Sequence, residues 1–204
     1  MHKSDEFKNI KRILIIKLRH IGDVLLTIPA IRAVKDTFPN SHITTVVNLG
    51  TEDMLTGNRF VDEILTVDRS IQKGSLFNKI RAELSFVRKI RERHFDMAID
   101  LTGGDRAALY SFLSGARYRI GYEPTGGFPG KRFLYTHSSK IDRNRHVVLQ
   151  NMEILEKFGI STKDMRIDFH TAKEDEDWLS NALSNKGIKE GDYLEVDLEK
   201  GIIR

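Results

Sequence analysis

Ile13, Leu14, Ile15 and Ile16 form an unbroken apolar block between Arg12 and Lys17. A run without polar alternation predicts a strand buried on both faces, as in a parallel sheet, over residues 12–18. Polar residues 19–22 make a short turn. Beyond it Val24, Leu25, Ile28, Ile31 and Val34 recur at three- and four-residue spacing, the period of an amphipathic helix. Phe38, Pro39 and Asn40 break that pattern. Pro29 falls inside it and lacks an N–H, which predicts an unpaired Leu25 carbonyl and a kink. Residues 43–47 read as a second strand, completing a βαβ unit with short connections.

The alternation continues down the chain. Residues 63–67 read as a short strand and residues 75–93 as a long, basic amphipathic helix. A buried-type strand over 95–101 leads through Thr102, Gly103 and Gly104 into a helix over 105–113. A strand at 118–121, a Pro- and Gly-rich loop at 123–130, a helix at 146–158 and an acidic helix at 174–185 follow. Strands alternating with helices predict an α/β fold with a Rossmann-like, mainly parallel sheet. Trp178, alone on the acidic helix, reads as a packing residue.

Composition narrows the chemistry. The 204 residues are 40% hydrophobic and 30% charged, enough for a packed core, and contain no cysteine. Disulfides, thiolate zinc sites and a cysteine nucleophile are thereby excluded. No apolar stretch approaches the length of a membrane span, and the charged N-terminus has no signal-peptide pattern, so a cytoplasmic location is expected. Residues 172–204 hold five basic and nine acidic residues, a net of −4, whereas the whole chain carries +4. The charge changes sign near residue 170, which predicts a domain over 1–171 and a separate segment over 172–204. A basic main domain suits an anionic partner, or serves solubility alone.

Ligands of open parallel sheets bind outside the carboxyl ends of the strands. Two glycine-containing loops occupy such ends: Arg19, His20, Ile21, Gly22 and Asp23 after the first strand, and Thr102 to Arg106 after the strand at 95–101. They should meet on one rim. The first loop has neither the G-x-G-x-x-G fingerprint nor a P-loop, which argues against dinucleotide binding and a Walker-type NTPase. Gly22 offers a sharp turn. Asp23 has two open roles, a helix N-cap or a general base for a substrate hydroxyl, and on these residues alone the cap comes first. Gly103 and Gly104 form a strand-to-helix turn or let the backbone approach a ligand. Asp105 is expected to cap its helix, and Arg106 to meet an acceptor phosphate or solvent. The basic residues of helix 75–93 read as a solvated face, with contact to a phosphorylated or membrane-bound acceptor as the alternative. Lys131, Arg132, Arg143, Arg145 and His146 form a second basic group with the same two readings. The seven histidines are scattered, and aromatics are not interleaved with the basic runs, so neither a metal site nor nucleic-acid binding is expected.

The stretch from Arg12 to Ile31, with Lys17, Leu18, Arg19, His20, Gly22, Asp23 and Val24, resembles the N-terminal signature of the bacterial lipopolysaccharide heptosyltransferases, glycosyltransferase family 9. It is similar to the heptosyltransferase III branch. Residues 95–106, then Phe112 to Arg117 and Arg119 to Tyr122, add to the likeness, which runs over about residues 11–194. The resemblance implies a GT-B fold of two Rossmann-like domains. The N-terminal domain would bind the lipopolysaccharide core acceptor and the C-terminal domain ADP-heptose. It implies an inverting transfer without metal or cofactor, with Asp23 as the base. Arg19, His20, Gly22, Gly103, Gly104 and Arg106 would then contact the acceptor, at the inner face of the cytoplasmic membrane. Members continue from about Leu194 into the donor domain, so residues 172–204 are expected to be a linker helix and the truncated start of that domain. The sequence would then be the acceptor half, inactive alone. A non-catalytic acceptor- or lipid-binding module and another nucleotide-binding α/β protein are the rival readings.

Overall fold

The computed structural model describes residues 6–68, 76–142, 144–171, 173–185, 187, 196–197 and 202–203. Residues up to His170 form one compact unit and Thr171–Arg204 a second. The first unit is built on six parallel strands. These are β1 Arg12–Lys17, β2 His42–Asn48, β3 Glu63–Val67, β4 Met97–Asp100, β5 Tyr118–Tyr122 and β6 His137–Ser139, in the order β3-β2-β1-β4-β5-β6.

The apolar block at 13–16 has a direct explanation. Ile13 and Ile15 enter the core on one sheet face, while Leu14 and Ile16 enter the core on the other. Side chains alternate along a strand, so only an unbroken run can fill both layers. The first layer is covered by α1 Ile21–Leu25, α2 Ile28–Thr37 and α5 Val147–Glu156. The second is covered by α3 Leu76–Arg91 and α4 Asp105–Leu113.

Three local expectations change. The predicted continuous helix after β1 is two helices, separated at Leu26 and Thr27. Pro29 stands in the first turn of α2, where its missing N–H is tolerated, so it marks a restart rather than a kink. A sixth strand, β6, was not predicted; its sequence, His137, Ser138 and Ser139, carries no apolar pattern. Ser75 of the basic helix, and Arg143 of the second basic group, lie outside the described residues.

α5 is followed by a strap over 160–170 that returns across α2. There Arg32, 2% exposed, meets Asp164 at 2.8 Å and Asp168 at 2.6 Å, and its guanidinium lies 5.2 Å from the Phe60 ring centre. In the second unit, α6 Lys173–Asn185 is followed by β7 Val196–Asp197, which pairs antiparallel with β8 Ile202–Ile203. Trp178 of α6 is 71% exposed, so the packing expected of it is not made within the described residues. Among those residues no helix is long and apolar enough to cross a membrane.

Candidate active site

The strand order reverses at β1. From β1 the chain steps to β2 and β3, and then crosses to β4 on the opposite side. The carboxyl ends of β1 and β4 therefore flank a switch point, where an open α/β sheet leaves a crevice for a ligand. The two glycine-containing loops follow these two strands and meet, as the sequence leads one to expect. The Leu18 N–H donates to Thr102 Oγ1 at 2.8 Å, and Arg19 Nη2 donates to the Thr102 carbonyl at 3.0 Å.

The second loop is held from below. Asp100, fully buried at the end of β4, accepts from the N–H groups of Thr102 at 2.7 Å and Gly103 at 3.0 Å, and from Tyr135 Oη at 2.6 Å. Burial pushes its carboxyl above the usual carboxylate range, against the hydrogen bonds that favour its charged form. Burial and the neighbouring Asp100 raise the Tyr135 hydroxyl as well. Gly103 turns through φ +73°, in the left-handed region that favours glycine. Gly104 is the N-cap of α4, so Asp105 is its first residue and not the expected cap. Asp105 instead meets Lys131 at 3.0 Å. Lys131, expected on a basic surface, is buried and also donates to the Gly103 carbonyl at 2.8 Å. Arg106 is committed inward, pairing with Glu83 of α3 and donating to Tyr110 Oη at 2.8 Å.

The first loop is arranged differently. His20 is the N-cap of α1, without a side-chain capping bond, and Asp23 sits in the first turn. The cap reading of Asp23 is therefore replaced. Among the described residues its carboxylate has no hydrogen-bond or ion-pair partner; only its backbone carbonyl is engaged, by Thr27 Oγ1 at 2.8 Å. Gly22 lies inside α1 with no positive φ, and a Cβ there would meet nothing within 4 Å. Neither a turn nor crowding among the described residues requires glycine at this place.

A buried polar hub supports this loop, and reading the sequence did not find it. Lys17, 5% exposed, donates from Nζ to the Leu101 carbonyl at 2.9 Å and to Asn151 Oδ1 at 3.1 Å. Tyr122 Oη donates to the same Asn151 oxygen at 3.2 Å, and Asn151 Nδ2 donates to the Leu26 carbonyl at 3.3 Å, just past α1. Burial lowers the Lys17 ammonium to about 8, with the negative charge of Asp23 opposing that shift. Burial raises the Tyr122 hydroxyl, helped by Asp100. The available signals were a lysine ending an apolar strand and an asparagine inside an apolar helix.

Two depressions open on the rim. One of about 620 Å³ is lined by Arg19, Gly103, Gly104, Tyr122 and Lys131 together with residues 123–127. The other, about 410 Å³, is lined by Arg19, Asn48, Gly104 and Arg106 among others. Neither lining includes His20, Gly22 or Asp23. The structure thus gathers Arg19, Gly103, Gly104 and Arg106 at shared cavities and leaves His20, Gly22 and Asp23 on the adjoining turn.

A doubly wound parallel sheet with two polar loops at its switch point defines the class: a Rossmann-like α/β domain of the kind found in GT-B glycosyltransferases. Residues 83–190 match the sequence profile described as Glycosyltransferase family 9 (heptosyltransferase), and the chain belongs to that family. It is 27% identical over 179 residues to lipopolysaccharide heptosyltransferase 3 of Escherichia coli K12, covering 85% of this chain and 50% of that protein. With lipopolysaccharide heptosyltransferase 1 of the same strain it shares 26% over 181 residues, covering 86% and 56%. In fold it is similar to a family 9 glycosyl transferase from Veillonella parvula, with a TM-score of 0.75 at 24% identity over 89% of this chain and 51% of the other. It is also similar to E. coli heptosyltransferase WaaC with ADP-2-deoxy-2-fluoro heptose, with a TM-score of 0.64 at 24% identity over 83% and 54%. The chain spans about half the length of the curated relatives it matches.

Proposed function

We propose that this chain is the acceptor-binding half of an inverting heptosyltransferase of lipopolysaccharide core assembly, with Asp23 as general base. The observation that supports the reading is the Asp23 carboxylate, without a hydrogen-bond or ion-pair partner among the described residues, in the first turn of α1 at the switch point of the sheet. In the proposed step Asp23 takes the proton of an acceptor hydroxyl. The hydroxyl oxygen bonds to the anomeric carbon of ADP-heptose, and the bond to the ADP oxygen breaks with its electron pair leaving on ADP. Attack from the face opposite ADP inverts the centre. A carboxylate in hydrogen-bond reach of the hydroxyl contributes about 10²–10⁴-fold to such a step.

The other residues have supporting roles in this scheme. Gly22 leaves space for the acceptor beside Asp23. Arg19, His20 and the Gly103–Gly104 backbone would bind its sugar and phosphate groups, with Arg106 fixing the loop. The buried Lys17, through Asn151, holds the end of α1. The donor would sit on a second domain, and the acceptor would be reached at a membrane surface. The 204-residue chain is then expected to give no transfer from ADP-heptose to a heptose-deficient core acceptor, whereas a longer protein carrying the donor half turns over. Transfer by the 204 residues alone would refute the division of labour.

A further inference from the structure

Helix α3 carries more apolar surface outside than its amphipathic pattern suggests. Ile90 is fully buried, and Phe86 and Val87 pack against the core. Phe77, Ile80 and Leu84 do the opposite and are 74%, 50% and 64% exposed. At about 100° per residue these three, together with Arg81, Arg88 and Arg91, fall within about a 100° sector. A shallow depression of about 410 Å³, lined by Leu84, Val87, Arg88, Arg91, Glu92 and His94, continues the same face. Glu83, the one acid within Leu76–Arg91, is turned inward to Arg106 and Tyr110. Arg88 reaches Glu92 at 2.8 Å, an exposed pair of little strength.

We propose that this face of α3 is a docking surface for an anionic lipid bilayer. A helix with large apolar side chains beside arginines lies in the headgroup plane, where apolar burial and attraction to anionic lipid add. Two copies packed on this face would set arginines against arginines, so the charge pattern selects lipid over self-association. The direction of the helix makes the site useful. Just past the C-terminal end of α3, Arg93 pairs with Glu63 at the start of β3, on the edge opposite the rim, while the Glu83–Arg106 pair ties the third turn of α3 to the loop after β4, so the N-terminal half of α3 lies on the rim side. Phe77 and Ile80 would thus enter the bilayer beside the crevice, where a lipid-linked acceptor presents its sugars. This last step rests on the acceptor reading above; the docking itself does not.

The test is co-sedimentation of the 204-residue chain with vesicles free of any sugar acceptor. Binding is expected to phosphatidylglycerol–phosphatidylethanolamine vesicles and not to phosphatidylcholine alone. Phe77→Ser/Ile80→Ser/Leu84→Ser should weaken it at least about tenfold. Arg81→Gln/Arg88→Gln/Arg91→Gln should weaken it comparably and remove its salt dependence. Unchanged thermal midpoints would show both variants folded. As a gain of signal, Phe77→Trp in a Trp178→Phe background should shift its emission to the blue with anionic vesicles only. Failure of the parent chain to bind, wild-type binding by either folded variant, or an unshifted emission would overturn the proposal. So would a dimer that the serine variant dissolves while lipid binding stays intact. Because the vesicles hold no acceptor, a negative result leaves the role of Asp23 standing, and loss of that role leaves the docking result standing.

Discussion

The two rim loops come from adjacent strands and have opposite economies of hydrogen bonding. The loop after β4 has its polar groups engaged within the chain: Asp100 beneath it, Lys131 against the Gly103 carbonyl, Arg106 against Glu83. In the loop after β1, the side chains of His20 and Asp23 make no capping bond or ion pair among the described residues, and a Cβ on Gly22 would meet nothing within 4 Å of it there. The difference fits a division between scaffold and the chemistry proposed for Asp23. A rigid loop fixes one wall of the crevice, while the groups left unengaged on the neighbouring turn are those able to serve a ligand.

The comparison can be broken first at Asp100. Asp100→Ala leaves two part-buried backbone N–H groups and the buried Tyr135 Oη without their acceptor, and should cost about 3 kcal/mol in urea unfolding. A change below about 1 kcal/mol would show that the second loop is not held from below.

Lys17 gives an effect of similar size that depends on pH. Its folded-state pKa of about 8 lies below the ordinary lysine value of 10.5, so between those limits the unfolded chain binds more protons and stability rises with pH. Relative to Lys17→Met, which cannot titrate, the wild type should gain about 3 kcal/mol from pH 8 to 10.5. A flat difference would mean that the ammonium is not desolvated.

Gly103 and Gly22 sharpen the contrast with smaller effects. Gly103→Ala must hold φ +73° and brings a Cβ to 3.3 Å from Tyr122, so a loss of about 1–2 kcal/mol is expected. Gly22→Ala meets neither obstacle and lies in a helix, so a stability gain of about 0.5 kcal/mol is expected. In a longer protein carrying the donor half, the same methyl should lower kcat/KM about tenfold by displacing the acceptor. Equal thermal midpoints for the two variants would remove the distinction between the loops.

Much of this was legible in the sequence. The run at 13–16, the switch to helical spacing at Val24 and the Gly-rich exit at 102–104 led to the sheet and to the meeting of the two loops, because those features are local. What was missed depends on contacts distant in sequence. Lys17 and Asn151 are 134 residues apart in the chain, and nothing at either position announces the other. Lys131 looked like surface charge until Asp105 and the Gly103 carbonyl surrounded it. β6 is three residues long and owes its place to pairing with β5 rather than to its own pattern. The cap positions of α1 and α4 each differ from the sequence expectation because helix ends are set by backbone geometry, which a favourable side chain only decorates. The outward turn of Phe77, Ile80 and Leu84 was hidden because an apolar period shows that a helix is two-sided, not which apolar residues the core accepts.

The central claim is that the unengaged carboxylate of Asp23 performs the chemistry. The direct measurement is the transfer rate of Asp23→Asn in a protein carrying both halves, with ADP-heptose affinity determined on the same sample. The asparagine keeps shape and hydrogen bonding but cannot take a proton. The account predicts a fall in kcat of at least about 10²-fold with donor affinity nearly unchanged. Turnover within a few-fold of the wild type would contradict it.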